Sequence, residues 1–443
     1  MYTASNCNAH TKKTMQLFPH QQDAVNFLLS KQRCILADQP RVGKTLPTAV
    51  AAAQHLPALI VCPAIAKTVW QRAFNAVNSD LSVCVVNGTK AAKNIRKHDV
   101  IIINYDLVQY VDPRLFKKFQ TLVLDESHRI KTYQRPQKQR NPKTNRMHTV
   151  MAPVKRTEAC MRAMSVIPRV YALSGTPIPN RPAELWPLLH GLGIYRLGYY
   201  DFVTRYARAW QAPWGFDVSG SSNLPELRGL MRPFVLRRKK EDVFNDYKQP
   251  QVSLITFDLP TDSREQAFDA EALVDNPDAL LALEGLSEIL REGGLRKVKP
   301  AVEFIEDLLQ GEDKLVVFAH HKDVVHGLAD GLKKYSPVVV TGDTPRKKRD
   351  QGIESFQTDS DTRVIIGNIS AMSEGVDLSA ADTIVFVEAT WQTSALEQAS
   401  SRVENVNKSG IQPCVYLLTI AASLDHTVLG KVLKKQGVID QII

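Results

Sequence analysis

Short apolar runs alternate along this chain with segments of helical pattern, and this alternation restricts its fold more than any other feature. The runs are rich in Val, Ile and Leu and nearly continuous, as expected of strands buried on both faces of a parallel sheet. Helix-like segments such as Leu46–His55 and Lys67–Val77 lie between them. The runs are Cys34–Ala37, Ala58–Cys62, Val83–Val86, Val100–Ile103, Leu122–Leu124, Val170–Leu173, Lys314–Phe318, Val338–Val340, Val364–Ile366, Thr383–Val387 and Val415–Leu418. The sequence therefore predicts an α/β fold built from doubly wound parallel sheets.

The apolar runs fall into two groups, which predicts two domains. A chain of 443 residues also exceeds the length that one hydrophobic core usually supports. Between the groups lies the basic stretch Arg237–Lys240, and the boundary is expected near Tyr247–Phe257. We therefore expect an N-terminal domain over residues 1–248 and a C-terminal domain over residues 249–443.

Composition restricts the class of protein but not its activity. Hydrophobic residues make up 44% of the chain and charged residues 23%, which is typical of a soluble globular protein. No apolar run is long enough for a membrane span, and the polar start Met1–Lys13 does not resemble a signal peptide. The six cysteines form no Cys-x-x-Cys pair, and Cys34 and Cys62 are predicted to be buried thiols. We expect an intracellular protein without a zinc or disulfide framework.

A polar loop between an apolar run and a helix has the features of a phosphate-binding loop. The segment Asp38–Thr45 ends in Gly43, Lys44 and Thr45, so backbone N–H groups and the Lys44 ammonium are expected to bind phosphates. Asp38 stands where the strict pattern has its first glycine. A chance Gly-Lys-Thr at a helix start is the alternative interpretation.

An acidic pair at the end of a second apolar run makes the nucleotide interpretation stronger. Asp125 and Glu126 directly follow Leu122–Leu124. In such sites Thr45 and Asp125 would hold Mg²⁺, and Glu126 would orient or deprotonate the attacking water. The order of loop and acidic pair therefore predicts a nucleoside-triphosphate motor.

A run of basic residues without Asp or Glu extends from Arg129 to Arg156, directly after the acidic pair. Since a motor's DNA groove would lie there, we expect the run to contact DNA phosphates. A solvated flexible loop is the alternative, and the net charge of +10 does not decide between them. The residues of this run predicted to bind DNA are Arg129, Lys131, Lys138, Arg140, Lys143 and Arg146.

Several segments resemble, in order, the motifs of one enzyme family. The segments are Leu17–Gln21, Asp38–Thr45, Asp125–Lys131, Leu173–Asn180, Ser373–Leu378 and Gln398–Arg402. They resemble the Swi/Snf-like branch of superfamily-two DNA helicases and translocases. A finer resemblance, to annealing helicases and phage branch-migrating helicases, lies in Gly215–Leu227, Leu236–Val243 and Gly294–Val298.

The resemblance implies two RecA-like domains with ATP bound in the cleft between them. His128 would hydrogen-bond to the third motif, and His320 and His321 would touch the DNA backbone. Besides Gly43, Lys44 and Thr45, the residues implied in nucleotide binding are Gln21 at the adenine, Arg402 at the γ-phosphate, and Gly375, Asp377 and Gln398 in motifs five and six.

Three positions depart from the family pattern. In the phosphate loop, Gln39 replaces a glutamate and Arg41 replaces a glycine, although a residue with a side chain does not readily take a positive φ. The Arg41 side chain would then lie over the phosphates or point to solvent. In motif six, Arg402 fills the first of two arginine positions, but Asn405 fills the second, that of the arginine finger. Either Arg402 compensates, hydrolysis is slow, or Asn405 is an engineered substitution.

Together these features predict an ATP-dependent DNA translocase or helicase that remodels forked or branched DNA by branch migration, fork regression or strand annealing. The expected cofactors are ATP and Mg²⁺, and the expected partner is forked, branched or duplex DNA, bound at phosphates with little sequence preference. We expect a monomer without membrane contact, in a bacterial or phage-infected cytoplasm rather than a nucleus. The alternatives are a DNA-junction-binding protein whose ATPase is nearly silent because of Asn405, and a chromatin-remodelling motor, for which the chain lacks room for histone-reading domains.

Overall fold

The computed structural model contains two parallel sheets with helices between their strands, and this confirms the predicted fold class. The structure describes residues 17–140, 147–175, 181–212, 215–267, 285–372, 376–388, 399–403 and 411–430. Cys34 and Cys62 are both fully buried, as predicted, and burial raises the pKa of the Cys34 thiol to about 12.

The first sheet contains the nucleotide motifs of the N-terminal half. Its strands are β1 (Arg33–Leu36), β2 (Ala58–Cys62), β3 (Val83–Val85), β4 (Val100–Asn104), β5 (Thr121–Asp125), β8 (Arg169–Leu173) and β11 (Val235–Leu236). They lie in the order β11-β1-β8-β5-β2-β4-β3, and every neighbouring pair is parallel. All five residues of β2 are buried, which is why its sequence is a continuous apolar run.

The second sheet contains the later motifs. Its strands are β12 (Gln251–Phe257), β13 (Leu315–Ala319), β14 (Val338–Val340), β15 (Val364–Asn368), β16 (Thr383–Phe386) and β17 (Cys414–Ile420). They are parallel in the order β12-β17-β16-β13-β15-β14. The apolar runs did not predict β12, because this edge strand alternates partly buried and exposed residues. The domain boundary expected at 248/249 lies between β11 and β12 and stays a prediction.

Two antiparallel strand pairs lie in the N-terminal half. They pair β6 (Gln134–Arg140) with β7 (Met147–Pro153), and β9 (Trp210–Ala212) with β10 (Gly215–Asp217). The first pair contains much of the basic run, and neither interpretation of the sequence had included these strands. We give the name basic hairpin to β6, β7 and the sequence between them, residues 134–153.

Helices cover the connections between strands. None of the described helices is both long and apolar enough to cross a membrane. Their bounds are Pro19–Ser30, Thr45–Ala53, Lys67–Val77, Thr89–Lys93, Tyr105–Val108, Pro113–Phe116, Lys155–Val166, Trp186–Gly191, Tyr199–Tyr206, Leu224–Met231, Lys240–Val243, Leu286–Leu308, Lys322–Gly331, Arg346–Thr358 and Ile369–Met372.

Candidate functional site

The order of the first sheet brings three motif segments to one edge. The phosphate loop follows β1, Ser174 follows β8, and Asp125 ends β5, and these three strands are neighbours in the order β1-β8-β5. Ligands of parallel α/β sheets bind beyond the carboxyl ends of the strands. A Cβ on Gly175 would lie 2.9 Å from Pro40 Cδ, so the third motif packs closely against the loop.

The phosphate loop turns sharply and packs against Gln21. Gly43 has a φ of 93°, and a Cβ there would lie only 2.9 Å from Gln21 Nε2. The Gln21 side chain is largely buried, and its Oε1 accepts a hydrogen bond from the Phe18 backbone N–H at 3.1 Å. Glycine is therefore required at position 43 for two reasons, its left-handed φ and this close approach.

Lys44 points back onto its own loop. Its Nζ donates to the carbonyl oxygens of Asp38 at 2.7 Å and Gln39 at 3.2 Å. Desolvation lowers the pKa of Lys44, although Glu126, Asp38 and Asp125 oppose this effect. The helix Thr45–Ala53 begins at the next residue, so Lys44 and Thr45 stand at its N-terminus, where a phosphate is favoured.

Asp38, at the position of the missing first glycine, anchors the loop. It is 1% exposed and accepts from the backbone N–H of Arg238 at 3.0 Å and from its Nε at 3.1 Å. Gln39 Oε1 accepts from the Lys240 backbone N–H at 2.9 Å. The sequence analysis did not assign Arg238 to the site, although the basic stretch Arg237–Lys240 was the signal for it.

Two aromatic side chains fix Asp125. Trp70 Nε1 donates to Asp125 Oδ2 at 2.7 Å, and Tyr105 Oη donates to the Asp125 carbonyl oxygen at 2.8 Å. Burial, and then the charge of Glu126, raise the pKa of the Asp125 carboxyl. Sequence reasoning missed Trp70, because a Trp within an amphipathic helix has the pattern of an ordinary core residue.

Glu126 has different surroundings, although it is the next residue. Its Oε2 lies 3.3 Å from His128 Nδ1, and the same nitrogen lies 3.3 Å from Ser174 Oγ. Burial opposes ionisation, but His128, Lys44 and Arg402 lower the pKa of Glu126. His128 thus links the acidic pair to the third motif, as predicted.

Residues around the second sheet contact this site directly. Arg41, in the phosphate loop, donates from Nη2 to Asp377 Oδ1 at 2.7 Å. Ile65, which follows β2, packs against the apolar core of the second sheet, and Arg346 Nη2 donates to Thr68 Oγ1 at 3.1 Å. Burial would raise the pKa of Asp377, but Arg41 and Ser379 lower it.

The structure places some of the predicted DNA-binding residues. Lys131 Nζ lies 3.6 Å from Glu184 Oε1, and Arg129 is partly buried. The backbones of Lys138 and Arg140 lie in β6, but their side chains lie outside the described residues. The predicted residues that lie wholly outside them are Lys143, Arg146, Gly375, Gln398 and Asn405.

His320 and His321 follow β13 and are held by one buried carboxylate. Glu388 Oε2 accepts from both backbone N–H groups at 2.9 Å, and its Oε1 lies 2.7 Å from His321 Nδ1. Burial, and then the charge of His321, lower the pKa of His320, which favours the neutral form of this ring.

The residues of this edge fit a nucleoside triphosphate with Mg²⁺. The tight turn at Gly43 lies directly before a helix N-terminus, where backbone N–H groups can bind phosphate. The Lys44 ammonium donates to two carbonyl oxygens, and phosphate oxygens could replace them as acceptors. Asp125 supplies carboxylate oxygens, the ligands that Mg²⁺ prefers. These side chains and backbone groups are therefore of the kinds that bind phosphate and a divalent metal ion.

Comparisons with known proteins agree with this geometry. A family model described as the SNF2-related domain matches residues 20–291, and the helicase conserved C-terminal domain matches residues 300–407. A SWI/SNF-related regulator of chromatin subfamily A-like protein 1 from Xenopus laevis is 31% identical over 93% of this chain and 42% of its own length. The human DNA annealing helicase and endonuclease ZRANB3 is 26% identical over 96% of this chain and 40% of its own length. The chain thus spans less than half of either relative.

A solved structure of the SWI2/SNF2 ATPase core of Sulfolobus solfataricus with double-stranded DNA is also similar. It covers 97% of this chain and 93% of its own, with a TM-score of 0.45 and 20% identity.

The comparisons correct the predicted location. We expected a bacterial or phage-infected cytoplasm, and this prediction is wrong. The relatives are animal proteins, from Xenopus, cattle, Drosophila, Caenorhabditis, mouse and human. The SWI/SNF-related proteins among these relatives are named as regulators of chromatin, so these relatives point to the nucleus.

Proposed function

Because the chain belongs to the SNF2-related family, we propose that it is an ATP-dependent DNA translocase that remodels forked or branched DNA. The observation that carries the proposal is the convergence of the phosphate loop, the acidic pair and the third motif at one sheet edge, with the second sheet across a cleft. The relatives named as DNA annealing helicases support the branched substrate.

The substrate assigned to the site is ATP with Mg²⁺. When bound, ATP would supply the γ-phosphate and Mg²⁺ would polarise it. Lys44 would leave the carbonyl oxygens of Asp38 and Gln39 to bind phosphate, and Thr45 and Asp125 would hold the metal. Glu126, whose pKa is lowered, is ionised at pH 7 and would orient the attacking water by accepting its hydrogen bond. Arg402 would approach from the second domain.

DNA would lie across both domains and be bound mainly at phosphates. The basic hairpin comes after the acidic pair and the short helical turn Ser127–Ile130. The His320–His321 turn lies at the end of a central strand of the other sheet. Contacts of this kind fix position without reading sequence. Closing and opening of the cleft during ATP turnover would then move the DNA.

The direct test is DNA-stimulated phosphate release by the chain and by Lys44→Ala. We expect Lys44→Ala to abolish hydrolysis but to keep DNA affinity within about threefold, because the Lys44 ammonium is hydrogen-bonded to its own phosphate loop. Lys90→Ala is the matched control, since Lys90 is an exposed residue of the same domain. Retained turnover in Lys44→Ala would refute the assigned loop.

A further inference from the structure

Arg41 has a strained backbone within the phosphate loop, and its side chain leaves the loop. Its φ is 71°, in the left-handed region that glycine tolerates and residues with a Cβ rarely adopt. The side chain is 22% exposed. It neither lies over the phosphate site of its own loop nor points to solvent, the two outcomes expected from the sequence. It crosses the cleft to the second domain.

The Arg41 guanidinium binds three acceptors there. Nε donates to the carbonyl oxygen of Ser401 at 3.0 Å. Nη2 donates to the carbonyl oxygen of Arg402 at 2.5 Å and to Asp377 Oδ1 at 2.7 Å. Two of the three acceptors are consecutive backbone carbonyls, so the guanidinium holds the turn that carries Arg402.

This turn is firmly attached to its own domain. Ser401 and Val403 are fully buried, and Val403 belongs to the apolar core of the second sheet. Hydrogen bonds to the carbonyl oxygens of Ser401 and Arg402 therefore restrain the second domain as well as the turn. Under the proposed function, Arg402 of this turn approaches the γ-phosphate bound at the phosphate loop, so a contact that holds the turn to the loop also positions Arg402.

We propose that Arg41 is a positioning residue that ties the phosphate loop to the turn of Arg402 and so places Arg402 for ATP hydrolysis. This rests on the proposed function of the site. Arg41 itself would touch neither the nucleotide nor the attacking water. The hydrogen bonds of the guanidinium to three acceptors offset the strain of the Arg41 backbone, and lysine lacks the planar group that could make them at once.

The test is steady-state kinetics of DNA-stimulated hydrolysis by Arg41→Gly and Arg41→Lys. Arg41→Gly relieves the left-handed strain, so its Tm should not fall. Its kcat should fall about tenfold or more because the charge-assisted hydrogen bonds are removed, and the KM for ATP should stay within about threefold. Arg41→Lys keeps one charge opposite Asp377, so its kcat should fall between those of Arg41→Gly and the unaltered chain.

Arg208→Gly is the matched control. Arg208 is another arginine with a positive φ, 48°, and it lies on the exposed surface of the first domain. This variant should relieve the same strain without changing kcat. A kcat of Arg41→Gly equal to or above that of the unaltered chain would overturn the proposal.

A second measurement separates this proposal from the proposed function. Small-angle X-ray scattering of the nucleotide-free chain should show a larger radius of gyration for Arg41→Gly than for Arg208→Gly, because Arg41→Gly removes the hydrogen bonds that join the phosphate loop to the second domain. If the unaltered chain lacks DNA-stimulated hydrolysis, the proposed function fails, while the scattering still reports on the contact. Equal radii would show that Arg41 does not hold the domains together.

Discussion

At the scale of single residues, two adjacent carboxylates have opposite electrostatic surroundings. Burial and the neighbouring charge raise the pKa of Asp125, whereas His128 and Lys44 help to lower that of Glu126. Such a divergence of pKa values is typical of sites in which two carboxylates have different tasks. It agrees with Asp125 as the metal ligand and Glu126 as the residue that orients water.

Trp70 tests this division. Trp70→Phe keeps an aromatic ring beside Phe74, whose centroid lies 6.2 Å away, but it removes the N–H that binds Asp125 Oδ2. Because the loss of a hydrogen bond that orients a metal ligand typically weakens metal binding about 10- to 100-fold, we expect the Mg²⁺ concentration for half-maximal hydrolysis to rise about tenfold or more. The measurement is a Mg²⁺ titration of hydrolysis, with thermal unfolding followed in parallel.

Trp210→Phe supplies the comparison for Trp70→Phe, because Trp210 is 53% exposed and lies in β9, away from the acidic pair. An unchanged Mg²⁺ dependence in Trp70→Phe would mean that the indole is only a packing residue.

The sequence indicated the site residues that carry chemistry by type and spacing, but not those that act through orientation. Lys44, Asp125 and Glu126 belong to short local patterns, and the fold places them at one edge. Trp70, Arg238 and Arg41 make their contacts with residues that are distant in the sequence, for example Arg238 with Asp38, 200 positions away. No local pattern contains such contacts, so the structure was needed to find them.

At the scale of elements, the parallel strands with continuous apolar sequences were predictable, and the strands with polar or alternating sequences were not. β2 was predicted at its observed bounds because all its residues are buried. β12 and the two hairpins were missed, since their residues alternate or are polar. The missed elements include the basic hairpin, where we expect DNA to bind.

The basic hairpin has its own test. Neutralising its basic side chains should reduce the slope of log affinity against log salt by up to about 0.9 for each DNA phosphate that the protein no longer neutralises. Binding of duplex DNA is measured by fluorescence anisotropy at several salt concentrations. The substituted residues are Lys138, Arg140, Lys143 and Arg146, each changed to Gln.

A variant with the same reduction in charge elsewhere makes the hairpin result interpretable. An unchanged slope in the hairpin variant, or an equal decrease in both variants, would show that the hairpin is a solvated surface. The control changes the exposed lysines Lys90, Lys93, Lys117 and Lys118 to Gln.

At the scale of the whole molecule, Arg41 joins the phosphate loop to residues of the second half of the chain, and we propose that the two halves form one site there. The first domain holds the phosphate loop and acidic pair, and the second supplies Asp377 and the turn of Arg402, which Arg41 holds. The two apolar groups of the sequence predicted two domains, but the contact of Arg41 with the second domain follows only from their packing. Movement of one domain against the other is what a translocase requires.

The most direct test of the central claim is branch migration of a mobile four-way DNA junction with labelled arms. With ATP and Mg²⁺ the unaltered chain should convert the junction to duplex products, and Lys44→Ala should bind it without converting it. A chain that hydrolyses ATP in a DNA-dependent manner but leaves the junction unchanged would contradict the account.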